Sequence, residues 1–242
     1  MSGLDGLALT PGDALFLDFD GTLAEIGPDP DAICLSDDTA VHLGQLASRL
    51  GGAVAVISGR DLRDLAARVP GTVWRIGTHG LEALPPGAQV PTAPPPAPET
   101  VLAPLRRAAA ATPGLRLELK GPIAALHFRA APAAGLTCLA AAREAADAVP
   151  GYTALAGKMV VEVKPIAANK GTALRRLCAA PPFAGRRPLM LGDDATDEDA
   201  MEAALALGGR AVKVGKGATV ALLRAPDPAA VRAWLARSAA GP

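Results

Sequence analysis

Aromatic residues are scarce in this 242-residue chain and make up only 3% of it. So few rings argue against a surface of stacked aromatic side chains that binds single-stranded nucleic acid. Lysine plus arginine and aspartate plus glutamate both number 24, so the sequence lacks the basic excess that attracts a phosphate backbone. We therefore expect no nucleic-acid partner.

Cysteines and long apolar segments are also few. The three cysteines, Cys34, Cys138 and Cys178, are widely spaced and form no Cys-x-x-Cys pair, which indicates neither a disulfide framework nor a zinc site. No apolar run approaches the ~18 residues that a membrane helix needs. Residues 1–12 lack the basic and apolar segments of a secretory signal. We expect a cytoplasmic protein without a membrane partner.

Short apolar runs that end in polar residues alternate with helical patterns in the first and last parts of the chain. The runs are typical of buried parallel strands and cover 14–17, 53–57, 188–191 and 211–214. The helical patterns cover 36–50, 61–69, 170–179, 196–207, 217–224 and 228–238. This alternation predicts an α/β core domain with a doubly wound, Rossmann-like parallel sheet. Ligands bind such sheets at the carboxyl ends of the strands.

The middle of the chain breaks this alternation. Residues 85–98 are rich in proline, as is typical of a linker. The following pattern is helix, two strands, helix and two strands, at 99–112, 115–120, 123–129, 133–148, 153–156 and 158–163. It predicts an antiparallel sheet with helices on one face. We expect a smaller α+β cap domain at 91–165, inserted into a core domain formed by 1–90 and 166–242.

Two aspartates directly follow the first predicted strand, in the sequence Asp18-Phe19-Asp20-Gly21-Thr22. The alternation of strand side chains places Asp18 and Asp20 on the same side. Two neighbouring carboxylates repel each other unless a cation lies between them or one holds a proton. For an isolated pair of this kind, a solvated turn capped by acids is the alternative interpretation.

Three further elements place polar groups at strand ends or helix starts. Ser58 follows the second strand, where its hydroxyl and the backbone N–H groups at Gly59 suit a phosphate oxygen, with an ordinary helix cap as the alternative. Lys170 begins a helix, where a cation is unfavourable unless an anion lies nearby. Asp193 and Asp194 precede the helix after the third strand, and a hard cation with oxygen ligands explains such a pair.

These four elements, in this order, resemble those of the haloacid dehalogenase-like superfamily of phosphatases. The resemblance implies that Asp18 is the nucleophile, which forms an aspartyl phosphate, and that Asp20 is the general acid and base. It also implies that Ser58 and Lys170 hold the phosphate. Mg²⁺ would be bound by Asp18, Asp20 and Asp193. The position of the cap, between the serine and lysine elements, resembles the type-2 cap of that superfamily.

The resemblance narrows to trehalose-6-phosphate phosphatases in several segments. Residues 77–82, Gly-Thr-His-Gly-Leu-Glu, are similar to G-x-H-G-x-E. Residues 157–165 and 169–171 are similar to G-K-x-x-x-E-x-x-P and N-K-G, although Lys164 stands where we expect arginine. Residues 192–198 are similar to G-D-D-x-T-D-E. The resemblance implies hydrolysis of trehalose 6-phosphate and a trehalose-6-phosphate synthase as the functional neighbour. Asp194 and Asp197 are then expected to orient ligands and waters rather than bind the metal.

Strand periodicity predicts a polar face on the cap sheet. Lys158 and Glu162 share one face of the last cap strand, and Glu118 and His127 lie on other cap strands. A solvent-facing sheet is the alternative interpretation. The resemblance implies that Lys158 and Glu162 hold sugar hydroxyls, with Glu198 reaching from the core. The expected substrate contacts are Gly59, Glu118, His127, Lys158, Glu162 and Glu198.

Three other functions use similar residues. A phosphatase for sucrose phosphate or mannosyl-3-phosphoglycerate would keep the same catalytic groups and change only the cap. A phosphomutase would also keep the paired aspartates but must retain the phosphoryl group. A phospho-acceptor signalling domain, which is not an enzyme, uses an acidic cluster, a hydroxyl and a lysine. Such a domain lacks the second acid and a cap of this size.

Overall fold

The structure is a computed structural model that describes residues 3–27, 29–157 and 159–241. The chain divides into two compact units. The core unit runs up to Val90 and resumes at Asn169, and the inserted cap unit is Pro91–Ala168. The sequence predicts an insertion that ends at 165, whereas the compact unit runs to Ala168. Ile166 donates its backbone N–H to the carbonyl of Gly151 and Ala168 donates to that of Pro165, so both are bonded within the cap unit.

In chain order the strands are β1 (Asp13–Leu17), β2 (Val54–Ile57), β3 (Trp74–Gly77), β4 (Glu82–Leu84), β5 (Arg116–Lys120), β6 (Ile123–His127), β7 (Tyr152–Gly157), β8 (Val160–Pro165), β9 (Arg187–Gly192), β10 (Arg210–Val214) and β11 (Leu223–Ala225). The α-helices are α1 (Asp37–Arg49), α2 (Leu62–Arg68), α3 (Glu99–Ala111), α4 (Gly135–Asp147), α5 (Lys170–Cys178), α6 (Ala195–Ala206) and α7 (Pro228–Ala240). Short 3₁₀ helices lie at Leu4–Gly6, Pro30–Ala32, Thr78–Gly80 and Pro132–Ala134.

The core unit contains a seven-stranded sheet in the order β11-β10-β9-β1-β2-β3-β4. Its strands are parallel except for the edge strand β4, which pairs antiparallel with β3. Every residue of β1 and β2 is buried, because helices α1 and α7 pack together, as do α5 and α6, and their apolar residues complete one core with the sheet. This is the predicted doubly wound α/β arrangement.

One predicted helix is wrong. Residues 217–224 form turns that lead into β11. Gly215 and Gly217 adopt φ values of 72° and 111°, which a right-handed helix does not allow. The guanidinium of Arg224 donates to the carbonyls of both glycines, at 3.0 and 2.6 Å, and holds the segment in this open form.

The cap unit contains a four-stranded antiparallel sheet in the order β5-β6-β8-β7. Helices α3 and α4 contact each other, and their apolar residues form a second core with Leu126 of β6 and with Val161 and Val163 of β8. The alternation of strand side chains leaves the opposite face to Glu118, Glu162 and their neighbours. The cap unit is therefore the predicted α+β insertion.

Side-chain caps fix where several helices of the core unit begin. Ser36, Asp61, Asn169, Asp194 and Asp227 each accept a backbone N–H from the first turn that follows them. The caps at Asn169 and Asp194 are important for the site, because α5 begins with Lys170 and α6 begins directly after the pair Asp193 and Asp194. Among the described residues, no helix has both the length and the apolar character needed to cross a membrane.

Candidate active site

Two neighbouring strands end in aspartates at the same edge of the sheet. Strands β1 and β9 are parallel partners, with Leu17 opposite Leu191. Asp18 continues this ladder, because its N–H donates to the carbonyl of Leu191 at 2.9 Å. Asp193 follows β9 directly. The topology therefore brings together two acids that are separated by much of the chain.

Lys170 links Asp18 to a third acid, Asp197. Its Nζ donates to Asp18 Oδ1 and to Asp197 Oδ1, each at 2.7 Å, and all three side chains are buried. Burial alone would lower the pKa of Lys170, but the two carboxylates outweigh it and raise the pKa above its ordinary value. Lys170 is therefore a fixed positive charge. Removing a partner from a buried pair of this kind typically costs about 3–5 kcal/mol.

Asp197 holds in place the loop formed by Asp193 and Asp194. Its Oδ2 accepts the backbone N–H groups of Asp193 at 3.1 Å and Asp194 at 3.0 Å, while Oδ1 accepts from Lys170. Asp194 is the N-cap of α6 and completes a capping box with Asp197. Because both oxygens of Asp197 already accept hydrogen bonds, the residue is better suited to orienting its neighbours than to binding a cation.

The acids of this edge fit a divalent cation. Asp18, Asp193 and Asp197 each offer an oxygen within 4.8 Å of the others, and Asp193 Oδ1 is buried without a hydrogen-bond partner among the described residues. Burial, followed by the charges of Asp197 and Asp194, raises the pKa of Asp193 to about 6. Burial and Asp197 also raise the pKa of Asp18, despite the opposing effect of Lys170. Three carboxylates beside one lysine leave an excess of negative charge, and oxygen donors of this kind suit a hard cation.

Asp20 lies beside the acidic cluster and pairs with Arg60. The guanidinium donates through Nε to Asp20 Oδ2 at 2.7 Å and through Nη2 to Oδ1 at 2.6 Å. Arg60 also donates to Asp64 Oδ2 at 2.9 Å and lies 5.2 Å above the centre of the Phe19 ring. Arg60 is not among the residues predicted from the sequence, where its position directly after Ser58-Gly59 is the one available signal.

Ser58 directly follows β2 at the same edge of the sheet and is buried. Its Oγ accepts the N–H of Arg60 at 3.1 Å, and its carbonyl accepts the N–H of His79 at 3.0 Å. A Cβ atom on Gly59 would lie 2.6 Å from Cε1 of His79, so a side chain at this position would displace the imidazole. Helix α2 begins later, with Asp61 as its N-cap, so the alternative that Ser58 caps this helix is wrong.

Glu198 makes its contacts within the core unit. It accepts from Lys213 Nζ at 2.8 Å, from Thr219 Oγ1 at 3.1 Å and from the N–H of Val220 at 3.0 Å. These bonds join the first turn of α6 to β10 and to the loop after it. The predicted contact of Glu198 with sugar stays a prediction.

The predicted sugar contacts of the cap lie on its own sheet. On β5, Glu118 Oε2 lies 2.8 Å from Nε2 of His127, and this hydrogen bond lowers the pKa of Glu118 to about 2. Ala125 pairs with Glu118 on one side and with Glu162 on the other, so both acids share the polar face. Lys158, also predicted to bind sugar, lies outside the described residues.

Comparisons with known proteins identify the family of this chain. The trehalose-phosphatase family model matches residues 16–219. Trehalose-6-phosphate phosphatase of Escherichia coli (strain K12) is 37% identical over 225 residues, which are 92% of this chain and 85% of that protein. The probable trehalose-phosphate phosphatase of Sinorhizobium fredii is 38% identical over 229 residues, covering 92% and 86% of the two chains. The solved C-terminal domain of C. albicans trehalose-6-phosphate phosphatase superimposes with a TM-score of 0.77 and 27% identity, covering 95% of this chain and 92% of that one.

Proposed function

The chain belongs to the trehalose-phosphatase family, and from that premise we propose that it hydrolyses trehalose 6-phosphate to trehalose and phosphate through an aspartyl phosphate on Asp18. Membership makes the protein a phosphoric monoester hydrolase. The relatives named above are phosphatases for the trehalose ester, so the other sugar phosphates, the mutase and the signalling domain are not favoured.

The buried contact between Lys170 and Asp18 carries this proposal. A phosphate monoester dianion repels an attacking carboxylate, so a nucleophilic aspartate needs positive charge fixed beside it. Lys170 supplies that charge at 2.7 Å from Asp18 Oδ1, and Asp197 fixes the ammonium from its other side. A lysine that served stability alone would not need to lie at the strand end where ligands bind.

In the proposed first step, a carboxylate oxygen of Asp18 attacks phosphorus while the bond from phosphorus to the sugar oxygen breaks. Asp20, as the carboxylic acid, gives its proton to the departing oxygen, and trehalose leaves. In the second step water attacks the phosphorus of the aspartyl phosphate. Asp20, now a carboxylate, takes the proton from that water, and Asp18 is released with inorganic phosphate.

We infer that the divalent cation is Mg²⁺, held by the carboxylates of Asp18 and Asp193 and by the main-chain carbonyl of Asp20. When bound, Mg²⁺ supplies positive charge that offsets the repulsion between phosphate and carboxylate. Asp197 and Asp194 orient the loop that carries Asp193.

Ser58 completes the proposed phosphate site. Its hydroxyl and the backbone N–H of Gly59 are donors for a phosphate oxygen at the end of β2. In the cap unit, Glu118, His127, Glu162 and Lys158 are proposed to bind the hydroxyl groups of the sugar. A polyhydroxylated ligand needs such paired donors and acceptors, because an unpaired polar group in a closed site costs free energy.

The cellular setting is also an inference. Trehalose 6-phosphate must be supplied by a glycosyl transfer to glucose 6-phosphate, so a trehalose-6-phosphate synthase is the expected functional neighbour. We place the reaction in the cytoplasm.

Phosphate release from a panel of sugar phosphates, with Mg²⁺ and with chelator, tests the proposal. We expect trehalose 6-phosphate to have the highest kcat/KM in the panel and to need the metal. An acid quench during turnover of substrate labelled with ³²P should trap label on the protein, and Asp18→Asn should trap none. Efficient turnover of sucrose phosphate with no turnover of trehalose 6-phosphate would refute the substrate assignment while leaving the phosphatase assignment intact.

A further inference from the structure

Arg60 makes a bidentate contact with the carboxylate of Asp20. Nε and Nη2 each donate to a different oxygen, at 2.7 and 2.6 Å, so the planes of the guanidinium and the carboxylate are locked together. The side chain of Asp20 is 34% exposed, whereas that of Arg60 is 11% exposed. The more exposed acid is therefore anchored to the more buried guanidinium.

Arg60 is itself held from two other directions. Its Nη1 donates to Asp64 Oδ2 at 2.9 Å, and its plane lies over the Phe19 ring. Asp64 accepts two bonds from Arg68, at 2.9 and 2.6 Å. The alternating charges of Asp20, Arg60, Asp64 and Arg68 thus fix the guanidinium before any substrate binds. Such preorganisation is what accurate proton transfer requires.

We propose that Arg60 is a positioning residue, which holds the carboxyl group of Asp20 in the orientation needed to give a proton to the sugar oxygen and to take one from water. This inference rests on the proposed function, since it requires Asp20 to be the acid and base. Arg60 is not assigned to the phosphate, because Nε, Nη1 and Nη2 all donate to aspartates.

Two substrates with different leaving groups can distinguish a positioning role of Arg60 from a purely structural role. A sugar alkoxide is a poor leaving group and needs a proton, whereas p-nitrophenolate leaves without one. If Arg60 acts through Asp20, Arg60→Met should lower kcat/KM for trehalose 6-phosphate by about 10-fold to 100-fold, as small misplacements of catalytic groups do. For p-nitrophenyl phosphate, kcat/KM should fall by less than about 3-fold, because kcat/KM reports the steps up to departure of the leaving group and not the later hydrolysis of the aspartyl phosphate.

The decisive experiment is a double-mutant cycle with Asp20→Asn, Arg60→Met and the double variant, in which kcat/KM is measured for both substrates with the 242-residue chain and Mg²⁺. Arg60→Met should have almost no further effect once Asp20 is replaced, because its partner has already lost the exchangeable proton. If the fall in kcat/KM of the double variant is the product of the falls in the two single variants, the residues act independently and the inference is overturned. If Asp20→Asn impairs both substrates equally, the acid role of Asp20 fails, and the positioning role fails with it.

Two further variants test whether a loss of stability explains the result for Arg60→Met. Arg60→Lys keeps the positive charge but cannot donate two parallel hydrogen bonds to one carboxylate. Its kcat/KM for trehalose 6-phosphate should therefore lie between those of the wild type and Arg60→Met. Arg210→Met removes an arginine that pairs with Asp13, which begins β1 at the end of the strand opposite Asp18. It should lower the thermal unfolding temperature, with the ratio of kcat/KM for the two substrates unchanged. A changed ratio in Arg210→Met would show that general loosening explains the effect, against our inference.

Discussion

A Cβ atom on Gly21 would lie 2.2 Å from Oδ2 of Asp193. Gly21 adopts φ 78°, a conformation that glycine accepts without steric cost, in the turn directly after Asp20. The backbone of this turn therefore packs against the carboxylate proposed to hold the metal. The glycine of the Asp-x-Asp-Gly motif is thus explained by the close approach of the Gly21 backbone to the carboxylate of Asp193.

This contact predicts that Gly21→Ala will displace Asp193 and abolish most activity. The matched control is Gly87→Ala, since Gly87 has a similar φ of 73° but nothing within 4 Å of the added atom. Both variants carry the strain of alanine at positive φ, about 1 kcal/mol. We expect kcat to fall by at least about 100-fold for Gly21→Ala only. Steady-state kinetics check this, and equal activity in the two variants would show that the contact has no catalytic consequence.

The nucleophile assignment predicts that Asp18→Asn will reduce turnover by several orders of magnitude. The change removes the attacking charge and a proposed metal ligand while hardly altering volume. Circular dichroism should show an intact fold. The measurement is phosphate release under single-turnover conditions. Retention of more than a tenth of wild-type activity would contradict the assignment.

Much of the core site was accessible from the sequence because its groups follow buried strands. The runs that become β1, β2 and β9 are continuous and apolar, so their ends at Asp18, Ser58 and Asp193 could be located. Parallel strands then bring these ends to one edge. Lys170 was found because a cation at a helix N-terminus requires an explanation, and the structure supplies two carboxylates.

What the sequence did not reveal depends on contacts between distant residues. Strand β3 was missed because Arg75 interrupts its short apolar run. The helix predicted at 217–224 has suitable periodicity, but Gly217 adopts φ 111° and the side chain of Arg224 donates to its carbonyl, which holds the segment open. The contact between Arg60 and Asp20 spans 40 positions, and no local pattern encodes it.

The contacts of Glu198 predict that it serves stability. Glu198→Gln would leave Lys213, whose side chain is 5% exposed, without its charged partner. Loss of a hydrogen bond between charged groups typically costs about 2 kcal/mol. Urea unfolding measures this, and Glu202→Gln, at an exposed position of the same helix, should change stability by less than about 0.5 kcal/mol. Unchanged stability of Glu198→Gln together with a large rise in KM would instead support the sugar contact.

Removal of the metal should abolish activity, and added Mg²⁺ should restore it. Ca²⁺ should inhibit, because its larger and looser coordination misplaces the phosphate and the nucleophile. Mg²⁺ should also raise the thermal unfolding temperature of the wild type through binding to the folded state. That rise should be smaller in Asp193→Asn. Full activity after thorough chelation would overturn the metal assignment.

The last prediction concerns the polar face of the cap sheet. Glu162 lies on β8 beside Ala125, in the same cross-strand row as Glu118. If this row holds sugar hydroxyls, Glu162→Ala should lower kcat/KM for trehalose 6-phosphate by about 100-fold or more, since the site loses an acceptor and its bound hydroxyl is left unpaired. Lys158→Ala should behave in the same way.

Turnover of a small phosphate ester without the sugar should change little in both variants, because the groups proposed for the chemistry belong to the core unit. Glu144→Ala is the matched control, an acid of the same unit that lies on α4 and pairs with the exposed Arg107. It should behave like wild type with both substrates. The measurement is kcat/KM for each variant with each ester. If Glu162→Ala and Lys158→Ala process trehalose 6-phosphate at the wild-type rate, the polar face does not recognise the sugar, and the contacts proposed for Glu118 and His127 lose their support as well.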